Sequence, residues 1–290
     1  MTSTSDSVDE ATIPANEDDS IQQRSMPDED PNDIIVNERN IMAEVILSVT
    51  IRKSYPSPFC FGSMLSIGIR FLEAQWTLDD AAIRLDQPEF PVLVRKFLYD
   101  QLNPNPVIPS SEMIEDVYPV IESKIRVFNS AIATFHAPSD ISGIAGMRRE
   151  YIRATPSWRK GPARFDCVLI NSEPNIDGAR GFEVARVFLL FSFSYQGEEY
   201  PCALIQWYSF VDTEPDEDVG CWVVEPDMLD VDSPHVAVVH VDCIFRAAHL
   251  MPVTRTTQFV NRTVTMHTSL DTFTLFYLNK FVDHHAFASL

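Results

Sequence analysis

The sequence predicts an α+β protein in four parts. A disordered acidic leader spans residues 1–40, a small helical region 41–123, and a linker with a basic cluster 124–164. A mostly antiparallel, β-barrel-like domain closed by a C-terminal helix spans 165–290. Three observations carry this reading. Residues 1–33 are rich in Ser, Asp, Glu, Pro and Asn, and they hold too little apolar surface to offset the entropy of ordering. Apolar residues then recur at helical spacing, most clearly Phe90, Leu93, Val94, Phe97, Leu98 and Leu102. From Phe165 onward the texture changes to short runs of Val, Ile, Phe, Tyr and Trp bounded by Gly, Pro, Asp or Asn, as strands are.

Taken in order, the pattern turns helical over 41–51 and again over 64–76, after the turn-rich Ser54-Tyr55-Pro56-Ser57-Pro58. Thr77, with an acid at Asp80, is a capping signal for a short helix to Leu85. After Pro88 a second helix runs to Leu102, where Asn103-Pro104-Asn105-Pro106 stops it. A short helix is expected over 111–118. Residues 124–137 have a mixed period and read as strand or extended packing. Strands follow over 165–170, 184–195, 200–210, 221–224 and 236–244. Gln196-Gly197 reads as a hairpin turn, which makes the two longest strands antiparallel neighbours. Their runs are apolar on both faces, so one face should line the barrel and the other lie under the helical layer, burying Leu204. A final helix is expected from Ser269, with Phe273, Phe276, Tyr277 and Lys280 on one face.

The formal net charge of -20 opposes non-specific nucleic-acid binding by the chain as a whole, because that affinity comes from Lys and Arg neutralising phosphates. The charge is uneven: Asp and Glu dominate residues 1–40, where Arg24 and Arg39 are the only basic side chains. The five cysteines are far apart and form no Cys-x-x-Cys pair, which fits a reducing compartment. No apolar run reaches the roughly twenty residues of a membrane-spanning helix. The start lacks the basic and apolar regions of a signal peptide. An intracellular location without membrane attachment is expected.

Two groups of side chains are candidate binding sites. Arg148, Arg149, Arg153, Arg159, Lys160 and Arg164, with Trp158 placed to stack, form a local basic cluster that could contact nucleic acid. The bland alternative is that these arginines pair with local acids on a solvated face. Trp207, Tyr208, Phe210 and Trp222 flank the acidic loop 212–218 and are a candidate aromatic surface for a peptide cation, against the alternative that they are core. Asp283-His284-His285 invites a metal reading, but adjacent histidines on a helix point in different directions and no ordinary ligand spacing is met. The chain contains no nucleophile elbow, phosphate-binding loop, dinucleotide fingerprint or Cys/His pair of the reactive kind. No catalytic residue, metal ligand or cofactor is assigned.

An ordered series of motifs resembles the C-terminal tail of fungal, basidiomycete Plavaka-type transposases. It begins with Phe135-His136-Ala137-Pro138-Ser139-Asp140-Ile141-Ser142-Gly143-Ile144 and Gly146-Met147-Arg148-Arg149-Glu150. It continues through Ser157-Trp158-Arg159, Arg164-Phe165-Asp166, Tyr200-Pro201-Cys202-Ala203-Leu204, Cys221-Trp222-Val223-Val224 and Arg246-Ala247-Ala248-His249-Leu250, and ends at Asp283-His284-His285-Ala286. In that family the tail follows a nuclease core with metal-bound acidic residues. This chain has no counterpart of the core, so transposition chemistry is carried over to no residue. Ala203-Leu204-Ile205-Gln206-Trp207-Tyr208, followed by an acidic loop, also distantly resembles bromo-adjacent homology domains. Together the resemblances imply a mobile-element-derived, non-catalytic interaction module, nuclear rather than cytoplasmic, that binds a protein or chromatin peptide. The alternatives are a DNA-contacting accessory domain using the basic cluster and a transposon remnant without function.

Overall fold

A computed structural model of the protein describes residues 66–104, 110, 114–137, 146–173, 176, 178–231, 233–254 and 263–290. The leader and the helix expected at 41–51 lie outside the described residues. Helix α1, Leu78–Leu85, begins where local chemistry dictates. The Thr77 hydroxyl accepts from the Asp80 amide at 3.0 Å while the Asp80 carboxylate accepts from the Thr77 amide at 3.2 Å. Helix α2, Phe90–Leu102, buries the stripe Phe90, Val94, Phe97 and Leu98. It ends at Asn103, whose amide N–H and side chain both donate to the Tyr99 carbonyl, just ahead of Pro104. Of the helix expected over 111–118, the described residues show a single 3₁₀ turn, Glu115–Val117. No helix among the described residues is long and apolar enough to cross a membrane.

The helix expected over 64–76 is instead a strand. β1, Ser66–Trp76, runs antiparallel to β2, Ile125–His136. In Ser-Ile-Gly-Ile-Arg the β-branched Ile67 and Ile69 alternate around Gly68, a composition that favours a strand once a partner is present. Nor are residues 124–164 a linker. They hold β2 and β3, Met147–Thr155, which pair from Ser130↔Arg153 to His136↔Met147, so the basic cluster stands on the sheet itself.

β4 (Arg164–Phe165), β5 (Cys167–Asn171), β6 (Phe182–Tyr195) and β7 (Glu198–Phe210) follow. Next come β8 (Trp222–Pro226), the separate hairpin of β9 (Met228–Asp230) and β10 (Ser233–Pro234), then β11 (Val236–His240), β12 (Ile244–Ala248) and β13 (Leu250–Pro252). The β6–β7 hairpin is the spine. Gln196 and Gly197 at its tip have φ of 51° and 83°, the two left-handed positions of a type I′ turn. The outer edge of β6 is shared between β2 and β5, and that of β7 between β11 and β8. The twelve-stranded antiparallel sheet therefore forks, and among the described residues its pairings do not close into a barrel. The physical reason is length. β5, β8 and β11 are each too short to run along the whole spine, so the edges divide rather than meet.

The C-terminal helix is likewise corrected. Ser269–Thr272 is one turn, α3, and residues 276–278 form β14 (Phe276–Leu278) between β8 and β13. Phe276, Tyr277 and Leu278 are all buried in succession, on both sides of the chain, which a strand between two neighbours allows and a one-sided helix does not. The chain ends in the short α4, His284–Ser289.

The spine has two apolar faces, as its sequence predicts. On one, Phe90, Val94 and Leu98 of α2 join the cluster that holds Leu189, Phe191, Phe193 and Leu204. On the other, Leu190, Ala203 and Ile205 belong to a cluster with Ala131, Ile152 and Val168. A third cluster gathers Val184, Tyr208, Val224, Phe276 and Leu278 at the far end.

Candidate functional site

Strand alternation divides the basic cluster. On β3, Arg148 shares a face with Glu150 and the buried Ile152 and Ala154, while Arg149 and Arg153 stand on the other with the half-exposed Tyr151. Beyond β3 the chain turns at Trp158–Gly161, where the Gly161 amide donates to the Trp158 carbonyl at 2.8 Å. Arg159 and Lys160 occupy the turn with φ of 50° and 62°, left-handed positions unusual for such side chains. The Trp158 ring lies amid three guanidinium groups, at 4.3 Å from Arg153, 5.5 Å from Arg159 and 5.8 Å from Arg164. Asp166 holds the Arg164 guanidinium, accepting from its Nε at 2.7 Å, and also accepts from the Arg153 backbone N–H at 2.9 Å. Desolvation and the like charge of Arg164 lower the pKa of Arg153. Of the two partners expected for the indole, a base or a guanidinium, the protein's own arginines supply the second; Arg149, on β3, and Arg159 and Lys160, in the turn, are exposed.

Arg148 instead faces an ion network centred on Arg246, which sequence reasoning missed. Arg246 is 2% exposed and donates to Glu150 Oε1 and Asp283 Oδ2, both at 2.6 Å, while Arg148 lies 3.7 Å from each carboxylate. Asp283 also caps α4, accepting from the Ala286 amide at 2.7 Å, and the His285 ring lies 4.8 Å from that of Phe135. The Asp283-His284-His285 motif is therefore engaged by an arginine and a helix cap, and no metal-binding group of three or more side chains is found among the described residues.

Of the four aromatic candidates, Trp207, Tyr208 and Phe210 line one cleft and Trp222 does not, although strand alternation divides the three. On β7, Tyr208 and Phe210 face the third cluster, where Phe210 meets Trp222 edge-on at 5.3 Å and Arg180 lies 5.5 Å over Trp222. Trp207 points to the opposite side and lines a cleft of about 280 Å³ with Glu183, Ser209, Asp227 and His235, to which Tyr208 and Phe210 also contribute. Three backbone hydrogen bonds fix this corner: Trp207 N–H to His235 carbonyl at 3.0 Å, His235 N–H to Asp227 carbonyl at 2.8 Å, and Asp227 N–H to Trp207 carbonyl at 2.8 Å. The His235 ring pairs with the Asp227 carboxylate at 2.7 Å, and that bond holds Asp227 below its ordinary pKa. Partial desolvation raises Glu183, with His235 opposing the shift and Asp227 adding to it. Neither acid nor His235 was singled out in the sequence. The sole local hint is the repeat Pro226-Asp227 and Pro234-His235 bracketing the β9–β10 hairpin.

The acidic loop satisfies itself. Asp216 Oδ1 accepts from the amides of Asp218 and Val219 at 3.1 and 3.0 Å, and Arg180 donates to the Thr213 carbonyl. Burial pushes the Cys167 thiol up to about 12 and raises Cys202 as well, so neither is a nucleophile at neutral pH. Fold and site together define a sheet-rich α+β protein with one acid-lined, aromatic-walled cleft and one arginine-rich hairpin. Comparison with protein-family models, with curated proteins and with solved structures finds no match.

Proposed function

We propose that this protein is a non-catalytic interaction module, derived from a mobile element and acting in the nucleus, that binds a basic segment of a protein partner such as a chromatin tail. The observation that carries the reading is the convergence of Glu183, Asp227 and the Trp207 ring in one cleft, held by the backbone ring through His235. Carboxylates attract a cation, and an indole face favours one that has shed part of its water. The net charge of -20 would draw such a segment in from a distance. The resemblances to Plavaka-type tails and to bromo-adjacent homology domains point the same way.

Fluorescence anisotropy with a labelled Lys/Arg-rich peptide tests this. Trp207→Ala and Glu183→Gln are each expected to weaken binding about tenfold, as loss of one cation contact would. An acidic peptide of equal length should not bind. Absence of binding, or variants that bind as the wild type does, would overturn the reading. Exposure of Arg149 on β3 and of Arg159 and Lys160 in the turn beyond it favours a second reading, DNA contact by these side chains. That affinity would fall steeply with salt and vanish when the three are neutralised. Binding of neither probe would leave the remnant reading.

A further inference from the structure

A cleft of about 470 Å³, sharing no residue with the acid-lined one, is lined by β4, β5, the start of β13 and the Ser269–Asp271 turn. Arg186, on β6, reaches into it. Its guanidinium carbon lies 5.8 Å from the Phe165 ring and 5.3 Å from the Phe188 ring, both of which also line the cleft. The side chain is 8% exposed, and its Nε–H, like those of Arg153 and Arg246, has no hydrogen-bond partner among the described residues, so what sets Arg186 apart is its counter-ion. An N–H withdrawn from water and left unbonded costs free energy, so a buried arginine is ordinarily surrounded by acceptors.

What Arg186 does hold is Asp271, at 2.5 Å from Nη1 and 3.4 Å from Nη2. That carboxylate is 60% exposed and sits on a four-residue turn. The Arg246 network supplies the contrast within the same molecule, since its carboxylates on Glu150 and Asp283 are 14% and 12% exposed. A counter-ion buried with its arginine cannot leave without stranding two charges, whereas an exposed one can rehydrate as it lets go. Asp271 therefore occupies the guanidinium as a carboxylate that another carboxylate can replace.

We propose that this cleft binds a small organic carboxylate with an apolar body, whose carboxylate takes the place of Asp271 on Arg186. A ligand approaching side-on would pair with Nε–H and one Nη, whereas Asp271 pairs end-on with Nη1 and Nη2 and leaves Nε–H unbonded. The body would pack against Phe188, Leu250 and Leu270, and the volume lies within the range of small-molecule sites.

Calorimetric titration of the full chain with 3-phenylpropionate, and in parallel with phenyl phosphate, decides the matter. In the wild type Asp271 competes with the ligand, so the competent fraction is reduced. Asp271→Asn removes the competitor and is expected to bind 3-phenylpropionate about tenfold more tightly. The ligand should also raise the melting temperature of Asp271→Asn more than that of the wild type. Arg186→Lys should lose binding, and if that variant fails to fold, the Asp271→Asn comparison stands alone. Equal affinity in wild type and Asp271→Asn, no binding by either, or preference for phenyl phosphate would overturn the proposal.

Discussion

Arg246 joins elements that are distant along the chain, for Glu150 lies 96 residues before it and Asp283 lies 37 after. Its hydrogen bonds hold the Asp283 carboxyl well below the usual carboxylate range. An acid with a depressed folded pKa stabilises the fold above its unfolded value of about 4 and loses that contribution as pH falls through the folded value. His285 is depressed too, by burial first and then by the Arg246 charge, so its protonation costs stability as pH drops below about 6.5. Glu150, raised by burial, acts in the opposite sense. Asp283→Asn should therefore melt lower than the wild type at pH 7, with a shallower further loss between about pH 4 and pH 2. Melting curves across that range check it, and parallel pH profiles would contradict the assignment. The charge run on β3 was legible because it is local. Which arginines turn inward was not, because that depends on strand period and on partners far away in sequence. Glu183 and Asp227 escaped notice for the same reason, as only the ladder brings them to Trp207.

At the scale of elements, features encoded within a few residues were read correctly. The Thr77–Asp80 capping box, the apolar stripe of α2 and the Gln196-Gly197 turn each need no distant partner. β1 and β14 were misread as helix because short apolar runs fit either period, and what settles them is the neighbour each one pairs with. The hairpin offers a direct test of local strain. Gln196 holds φ of 51°, which costs an ordinary side chain free energy that Asn bears more easily. Gln196→Asn converts the tip to the favoured Asn-Gly pair, and it should stabilise the protein by about 0.5–1 kcal/mol in urea denaturation. A loss of stability would mean that the Gln196 side chain makes a contribution of its own.

For the molecule as a whole, the fold class and the two-faced spine were legible, whereas the absence of barrel closure among the described residues was not. Composition tells that a strand is apolar on both sides; whether its outer edge meets one long partner or two short ones depends on which distant segments pair there. The two faces should behave as separate cores. Leu204 is fully buried in the cluster that includes Val94 of α2, while Ile152 is fully buried in the cluster on the opposite face. Truncating a buried Leu leaves a cavity that close packing cannot refill, so Leu204→Ala should cost about 2–5 kcal/mol. Glu214→Ala, in the exposed loop, should change stability by less than about 0.5 kcal/mol. In double-mutant cycles Leu204→Ala with Val94→Ala should depart from additivity by about 0.5 kcal/mol or more, because the two residues relax into one shared space. Leu204→Ala with Ile152→Val should add within about 0.5 kcal/mol, since the sheet stands between them. Equal coupling in both cycles would mean that the sheet does not separate two cores, and an equally small effect of Leu204→Ala and Glu214→Ala would place the β7 strand at the surface.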